Sequence, residues 1–181
     1  MHLRCSEKKG SLLVNHLSLQ REIHVHFVCT GNAYRSRLAE AYLKGKQLSW
    51  LHVSSSGIAA EHHFLKNGPI CWDAMRLIRK YHLIPFMSLI WTQTTPLHLV
   101  SADMVIFMCQ EHYQYVKDYL GYQGICYQIW DIADMAIKGL AGREETIEYD
   151  IARIKSAEHT FEQIREKVDF LAEDLMRYIE C

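Results

Sequence analysis

From Ile23 onward, short apolar runs alternate with longer stretches in which apolar residues recur every three or four positions. That alternation predicts an α/β domain. Ile23–Val28 reads as the first strand and Arg35–Lys46 as the first helix. Trp50–Ser55, where Leu51 and Val53 alternate with other residues, suits a second strand. Pro69–His82 predicts a helix opened by its proline, with Ile70, Ala74, Leu77 and Ile78 on the apolar face. Met104–Met108 is a continuous apolar run, the signature of a strand buried on both faces of a parallel sheet. A helix over Glu111–Leu120 and a strand over Ile125–Trp130 follow. Farther on, Ile151, Ile154, Ala157, Phe161, Ile164, Val168, Leu171 and Leu175 are spaced by threes and fours, one stripe on a long helix. The stripe packs on the sheet or, alternatively, pairs with a second copy as a coiled coil. The expected architecture is a four-stranded parallel sheet with helices on both faces. Residues 1–22 show no strong period and are read as an N-terminal extension, ahead of a single domain over 23–181.

A chain of 181 residues fits one domain and can bury a good core unaided. Its net charge of −1 offers no basic surface for nucleic acid. No apolar run is long enough to cross a membrane. Met1–Glu22 lacks the sustained apolar core of a secretory signal, so a cytoplasmic protein is expected. The six cysteines lie far apart with no C-x-x-C pair, against both a disulfide framework and a zinc knuckle. Cys71, Cys109 and Cys126 read as buried filler. Among eleven histidines, His24 and His26 alternate along the first strand, and His62 and His63 are adjacent in a predicted loop. Neither pair makes a coordination set by itself, so no metal is expected.

The chemistry concentrates in Cys29-Thr30-Gly31-Asn32-Ala33-Tyr34-Arg35. A strand ends at the cysteine and a helix begins at the arginine. The five residues between them form a loop whose backbone N–H groups can point inward, backed by the helix N-terminus. Such a nest binds a tetrahedral dianion, and its positive potential favours a thiolate. Cys29 is then a nucleophile, and Arg35 a fork that grips two oxygens of the bound oxyanion. This is phosphate-ester chemistry in outline.

The longer string C-x-G-N-x-x-R-S-x-x-A-E, from Cys29 to Ala39-Glu40, resembles the low-molecular-weight protein tyrosine phosphatase family, which shares its fold with thioredoxin-coupled arsenate reductases. Ser55-Ser56-Gly57 resembles the family's serine-glycine after the second strand, Asp103–Met108 its third strand, and Trp130-Asp131-Ile132-Ala133-Asp134 its general-acid loop. The resemblance runs from Ile23 to the final helix, making 23–181 the phosphatase domain. It implies the phosphotyrosine protein phosphatase I-like fold and attack by Cys29 on phosphorus. Thr30, Gly31, Asn32, Ala33, Tyr34, Arg35 and Ser36 would hold the phosphoryl group. An aspartate would serve as acid and then base. Register puts Asp134 in that role, with Asp131 in a supporting place. Ser56 is expected to hydrogen-bond Asn32 and brace the loop. The implied ligand is a phosphotyrosine-bearing protein or a small aryl phosphate. Neither metal nor organic cofactor is implied, and the expected assembly is a monomer or weak dimer.

The chain also departs from the family's pattern. The acid loop lacks both prolines of D-I-P-D-P, which removes φ restriction. Met135-Ala136-Ile137 stand where aromatic residues commonly flank the substrate ring. Tyr34 replaces a second cysteine and either lines the pocket mouth or packs on the first helix. Two alternatives remain. An arsenate reductase of the same fold needs a relay of thiols, yet Val116 stands seven residues beyond Cys109. Thr30 and the Arg143-Glu144-Glu145 region resemble that branch. A catalytically weakened phospho-ligand binding protein would bind without turnover.

Overall fold

The computed structural model describes residues 22–135 and 144–180. The N-terminal extension before Glu22, and Ala136, Ile137 and Arg143 of the sequence reading, lie outside the described residues. The chain runs β1 (Ile23–Cys29), α1 (Arg35–Lys44), β2 (Leu51–Gly57), α2 (Ala60–Asn67), α3 (Trp72–Lys80), a 3₁₀ turn (Ile84–Phe86), α4 (Pro96–Val100), β3 (Met104–Phe107), α5 (Gln110–Leu120), β4 (Tyr127–Ile129) and α6 (Ile147–Glu180). Four strands in the order β2-β1-β3-β4 pair in parallel. The order reverses direction beside β1, so the carboxyl ends of β1 and β3 open a crevice of the kind where α/β sheets bind ligands.

Strand alternation sorts the core into two layers. Val25, Phe27 and Cys29 face a cluster completed by Leu38 of α1, Leu77 and Ile78 of α3, and Phe161, Ile164 and Val168 of α6. Val28 faces the other side, with Leu99 of α4, Phe107, and Val116 of α5. The apolar stripe of α6 is thus occupied inside the fold: Ala157, Phe161, Ile164 and Val168 are fully buried, and α6 lies along α1 and α3. Only its first predicted member, Ile151, is exposed.

Several boundaries move for local reasons. The helix expected from Pro69 begins at Trp72, because Cys71 adopts an extended backbone, caps the helix through its sulfur, and donates its N–H to Ala33 O at 3.0 Å. His62 and His63 sit in helix α2 rather than a loop. That helix is short and, among its described side chains, buries only Ala60 fully, so no apolar period announced it. The last strand shrinks to Tyr127–Ile129, with Ile125 left exposed before it. Among the described residues, no helix is long and apolar enough to cross a membrane.

Behind the sheet, the second layer buries a polar group. His26 bridges Ser54 Oγ at 2.6 Å and Ser56 Oγ at 2.7 Å and stacks on His98. Burial, then the neighbouring His98, pushes its pKa down from 6.5 to about 3. The native ring stays neutral where the unfolded chain takes up a proton, so stability falls as pH drops from about 6.5 towards 3. We expect the urea midpoint to decline steadily from pH 6.5 to 4.5, and more shallowly in His26→Gln. A midpoint flat across that range in the wild-type protein would exclude the effect.

Candidate active site

Cys29 ends β1, 3% exposed, beneath the loop that carries the chain into α1. Two donors converge on its sulfur. The Asn32 N–H lies at 3.3 Å and the Ser36 hydroxyl at 3.0 Å. The Asn32 amide fills one lone pair of that hydroxyl at 3.0 Å, leaving the hydroxyl proton free to point at the sulfur.

Asn32 itself has φ of 49°, the left-handed region that non-glycine residues seldom occupy. It is fully buried, and its side chain explains how the conformation is held. Nδ2 donates to Ser36 Oγ and, at 2.8 Å, to Ser55 Oγ, while Oδ1 accepts the Thr92 N–H at 2.8 Å. Ser55 in turn donates to Glu40 Oε2 at 2.6 Å. Ser55, not the predicted Ser56, is therefore the brace. Ser55 pairs with Phe27 in the β1–β2 register and shares the face of Cys29. Ser56 pairs with Val28, points to the other face, and bonds His26 and Thr94. Gly57 has its own reason to be glycine: a Cβ there would stand 2.5 Å from Asn32 N.

Arg35 is 5% exposed at the first position of α1. Its Nη1 donates to Ile132 O at 3.0 Å, and Nη2 to Asp134 Oδ2 at 2.9 Å and Thr30 Oγ1 at 3.3 Å. The acid loop and the phosphate loop thus meet on one guanidinium. Asp131 is exposed and does not line the cavity.

Above Cys29 opens a cavity of about 360 Å³. Thr30, Gly31, Ala33, Tyr34, Arg35 and Asp134 line it as the sequence suggested, whereas Asn32 and Ser36 lie underneath as supports. Tyr34 resolves both ways: it lines the cavity, and its hydroxyl donates to Ala157 O at 2.9 Å, so it packs on α6 rather than α1. Burial raises its phenol well above the ordinary range.

The sequence reading missed His63, Cys71, Asp73, Tyr149 and Arg153, which complete the walls. They come from α2, the start of α3 and the start of α6, brought in by tertiary packing. Asp73 holds Arg153 Nε at 2.8 Å. Cys71 shares the cavity, but burial pushes its thiol up to about 11, so it stays protonated at neutral pH and is a poor rival to Cys29. Val116, where a relay thiol would stand, is fully buried in the second layer, and neither Cys109 nor Cys126 lines the cavity.

The model of the family described as low molecular weight phosphotyrosine protein phosphatase matches residues 24–180. The chain belongs to this family. Its fold recurs in solved structures of phosphatases, at identities that carry the fold alone. The Vibrio vulnificus Wzb structure, in complex with benzylphosphonate, has 21% identity and a TM-score of 0.64, covering 84% of this chain and 99% of that one. SP-PTP, the low molecular weight protein tyrosine phosphatase from Streptococcus pyogenes, has 19% identity and a TM-score of 0.64, covering 87% and 97%. The YwlE arginine phosphatase from Geobacillus stearothermophilus has 20% identity and a TM-score of 0.58, covering 86% and 96%. No curated protein matches the chain in sequence. Membership makes the chain a phosphatase, a hydrolase.

The two neighbouring serines of this phosphatase have separable effects. Ser55→Ala strips Asn32 and Glu40 of a buried partner and should raise the inhibition constant for inorganic phosphate about tenfold or more. Ser56→Ala should lower thermal stability while leaving phosphate inhibition near the wild-type value. The reverse pattern would restore Ser56 as the brace.

Proposed function

We propose that this phosphatase hydrolyses aryl phosphate monoesters, phosphotyrosine foremost, through a cysteinyl-phosphate intermediate on Cys29. The Cys29 thiolate attacks phosphorus in line, and the bond from phosphorus to the leaving oxygen breaks. Asp134, protonated, gives its proton to that oxygen, without which a phenol or alcohol leaves poorly. The resulting carboxylate then takes a proton from water as the water attacks phosphorus, which frees the thiolate and inorganic phosphate. Arg35 and the loop N–H groups hold the equatorial oxygens throughout.

The observation that carries this reading is the contact of Arg35 with Asp134 in the cavity over Cys29. Phosphoryl oxygens entering the nest compete for the guanidinium and release the carboxylate, which takes up a proton from solvent water and then stands as the acid beside the leaving group. Tyr34, Met135 and Tyr149 give the cavity apolar walls that suit a phenyl ring. Benzylphosphonate in the Vibrio vulnificus Wzb structure, a ring joined to a phosphonate, accords with that shape. A nucleophile that must remain a free thiol fits a reducing, cytoplasmic setting.

The test is a steady-state comparison of phosphotyrosine, phosphoserine, phosphoarginine and arsenate with the purified protein, with phosphotyrosine expected to have the highest kcat/KM. Arsenate-dependent oxidation of thioredoxin would instead support a reductase. Cys29→Ser should abolish turnover. Asp134→Ala should lower kcat by about 10²–10⁴ and keep phosphate inhibition. An unchanged kcat would remove Asp134 from the acid role.

A further inference from the structure

The turn from β3 into α5 lies against the phosphate loop, and His112 spans the two. It is 2% exposed and occupies the third position of α5, where it closes a capping box with Cys109. The Cys109 N–H donates to His112 Nδ1 at 3.2 Å, and the Cys109 sulfur lies at 3.2 Å from the same nitrogen. With Nδ1 accepting, the ring proton sits on Nε2. Nε2 stands 2.9 Å from Thr30 Oγ1 and so donates to it. The same oxygen accepts from Arg35 Nη2 at 3.3 Å. Two donors fill both lone pairs of the hydroxyl, and its own proton is left to find an acceptor. Thr30 lines the cavity together with Cys29 and Arg35, where the acceptor on offer is the oxyanion that the site binds.

We propose that His112 is a positioning residue that orients the Thr30 hydroxyl as a donor to the phosphoryl group. The inference rests on phosphoryl transfer at Cys29 as described above. It assigns the start of α5 a part in catalysis: a helix cap sets a tautomer, the tautomer sets a hydroxyl, and the hydroxyl adds a donor to those of the backbone nest. It also gives Arg35 a fixed neighbour that does not compete for the oxyanion's charge. Burial, reinforced by Arg35, holds the His112 pKa down at about 3, so the ring stays neutral across the assay range. Its work is orientation, with no proton passed.

The test uses the full chain, para-nitrophenyl phosphate as substrate and inorganic phosphate as inhibitor. Thr30→Val keeps the shape and removes the donor. It should lower kcat/KM by about 10–100-fold, the usual effect of one hydrogen bond to a charged group, and weaken phosphate inhibition in step. His112→Met should act in the same direction. His112→Gln, whose amide can offer a donor near the place of Nε2, should recover most of the loss. The double variant Thr30→Val, His112→Met should be no worse than Thr30→Val alone, because both act on one hydroxyl. The pH–rate profile of His112→Gln should keep the limbs of the wild-type profile. If His112→Met does not fold, Thr30→Val, which leaves the α5 cap intact, carries the test by itself. Wild-type kinetics and phosphate inhibition in Thr30→Val overturn the proposal, as do losses that multiply in the double variant. A wild-type protein inert towards aryl phosphates would overturn the chemistry at Cys29 instead, so the two failures are distinguishable.

Discussion

The left-handed backbone of Asn32 is the constraint on which the site depends. Turning its N–H towards Cys29 Sγ requires φ of 49°, a conformation that an ordinary L-residue leaves readily. Three side-chain hydrogen bonds, to Ser36, Ser55 and the Thr92 N–H, hold it there. Each partner belongs to a different element. Ser36 comes from α1, Ser55 from β2, and Thr92 from the segment that meets Gly57. The loop is rigid only if β1, β2 and that segment are in register, so the anion site and the sheet form together. A one-residue slip between β1 and β2 would replace Ser55 by a side chain on the opposite face. Cys29 would keep its strand and lose the loop folded over it.

Beneath that constraint lies a second network that is charged and almost dry. Glu40, 2% exposed, accepts from Ser55, Lys44 and Ser88. The fully buried Arg37 donates to the carbonyls of Ser88 and Ile90. A buried ion with several partners is costly to strip of one, because the remaining charge is left desolvated. The 88–92 segment is thereby pinned by charge, and Thr92 is delivered to Asn32. The motif residues Arg37 and Glu40 do not line the cavity, yet they fix the backbone that fixes the loop.

These relations were unevenly legible in the sequence. The strand, the cysteine, the arginine and the helix are contiguous, so one short string carried Cys29, Arg35 and the supports Asn32 and Ser36. The parallel sheet followed from apolar runs, and the α6 stripe from spacing alone. Ser55 and Ser56 could not be told apart by position, since the face each occupies depends on strand register, which only the pairing with Phe27 and Val28 reveals. The cavity walls were harder still. Asp73, Tyr149 and Arg153 come from two helices nearly 80 residues apart in the chain, and their polar side chains interrupt no apolar pattern. Helix α2 escaped because a short, exposed helix has no buried stripe to read. His112 did leave a trace: it follows Cys109 by three positions, the spacing at which a capping side chain reaches back to the residue that opens a helix.

The acid loop shows how a constraint removed from the backbone is replaced by bonding. Without prolines between Asp131 and Met135, nothing intrinsic restricts φ, and Asp131 adopts a positive φ of 55°. The loop is anchored nonetheless. Trp130 N–H donates to Phe107 O, its ring packs edge-on against Phe27, and Ile132 N–H donates to Met108 O at 2.7 Å. Ile132 is itself buried, and its carbonyl accepts from Arg35. Ala133 and Asp134 are exposed, so the side-chain contact that ties Asp134 to the site is Arg35 itself. Arg35, the fork proposed to grip the phosphoryl group, thus also holds the carboxylate proposed as the acid. A phosphate dianion is the stronger claimant for that fork, being doubly charged and also held by backbone donors. Binding and release of the acid become one event. On the proposed mechanism, the carboxylate is set free to take up its proton only when an ester occupies the nest.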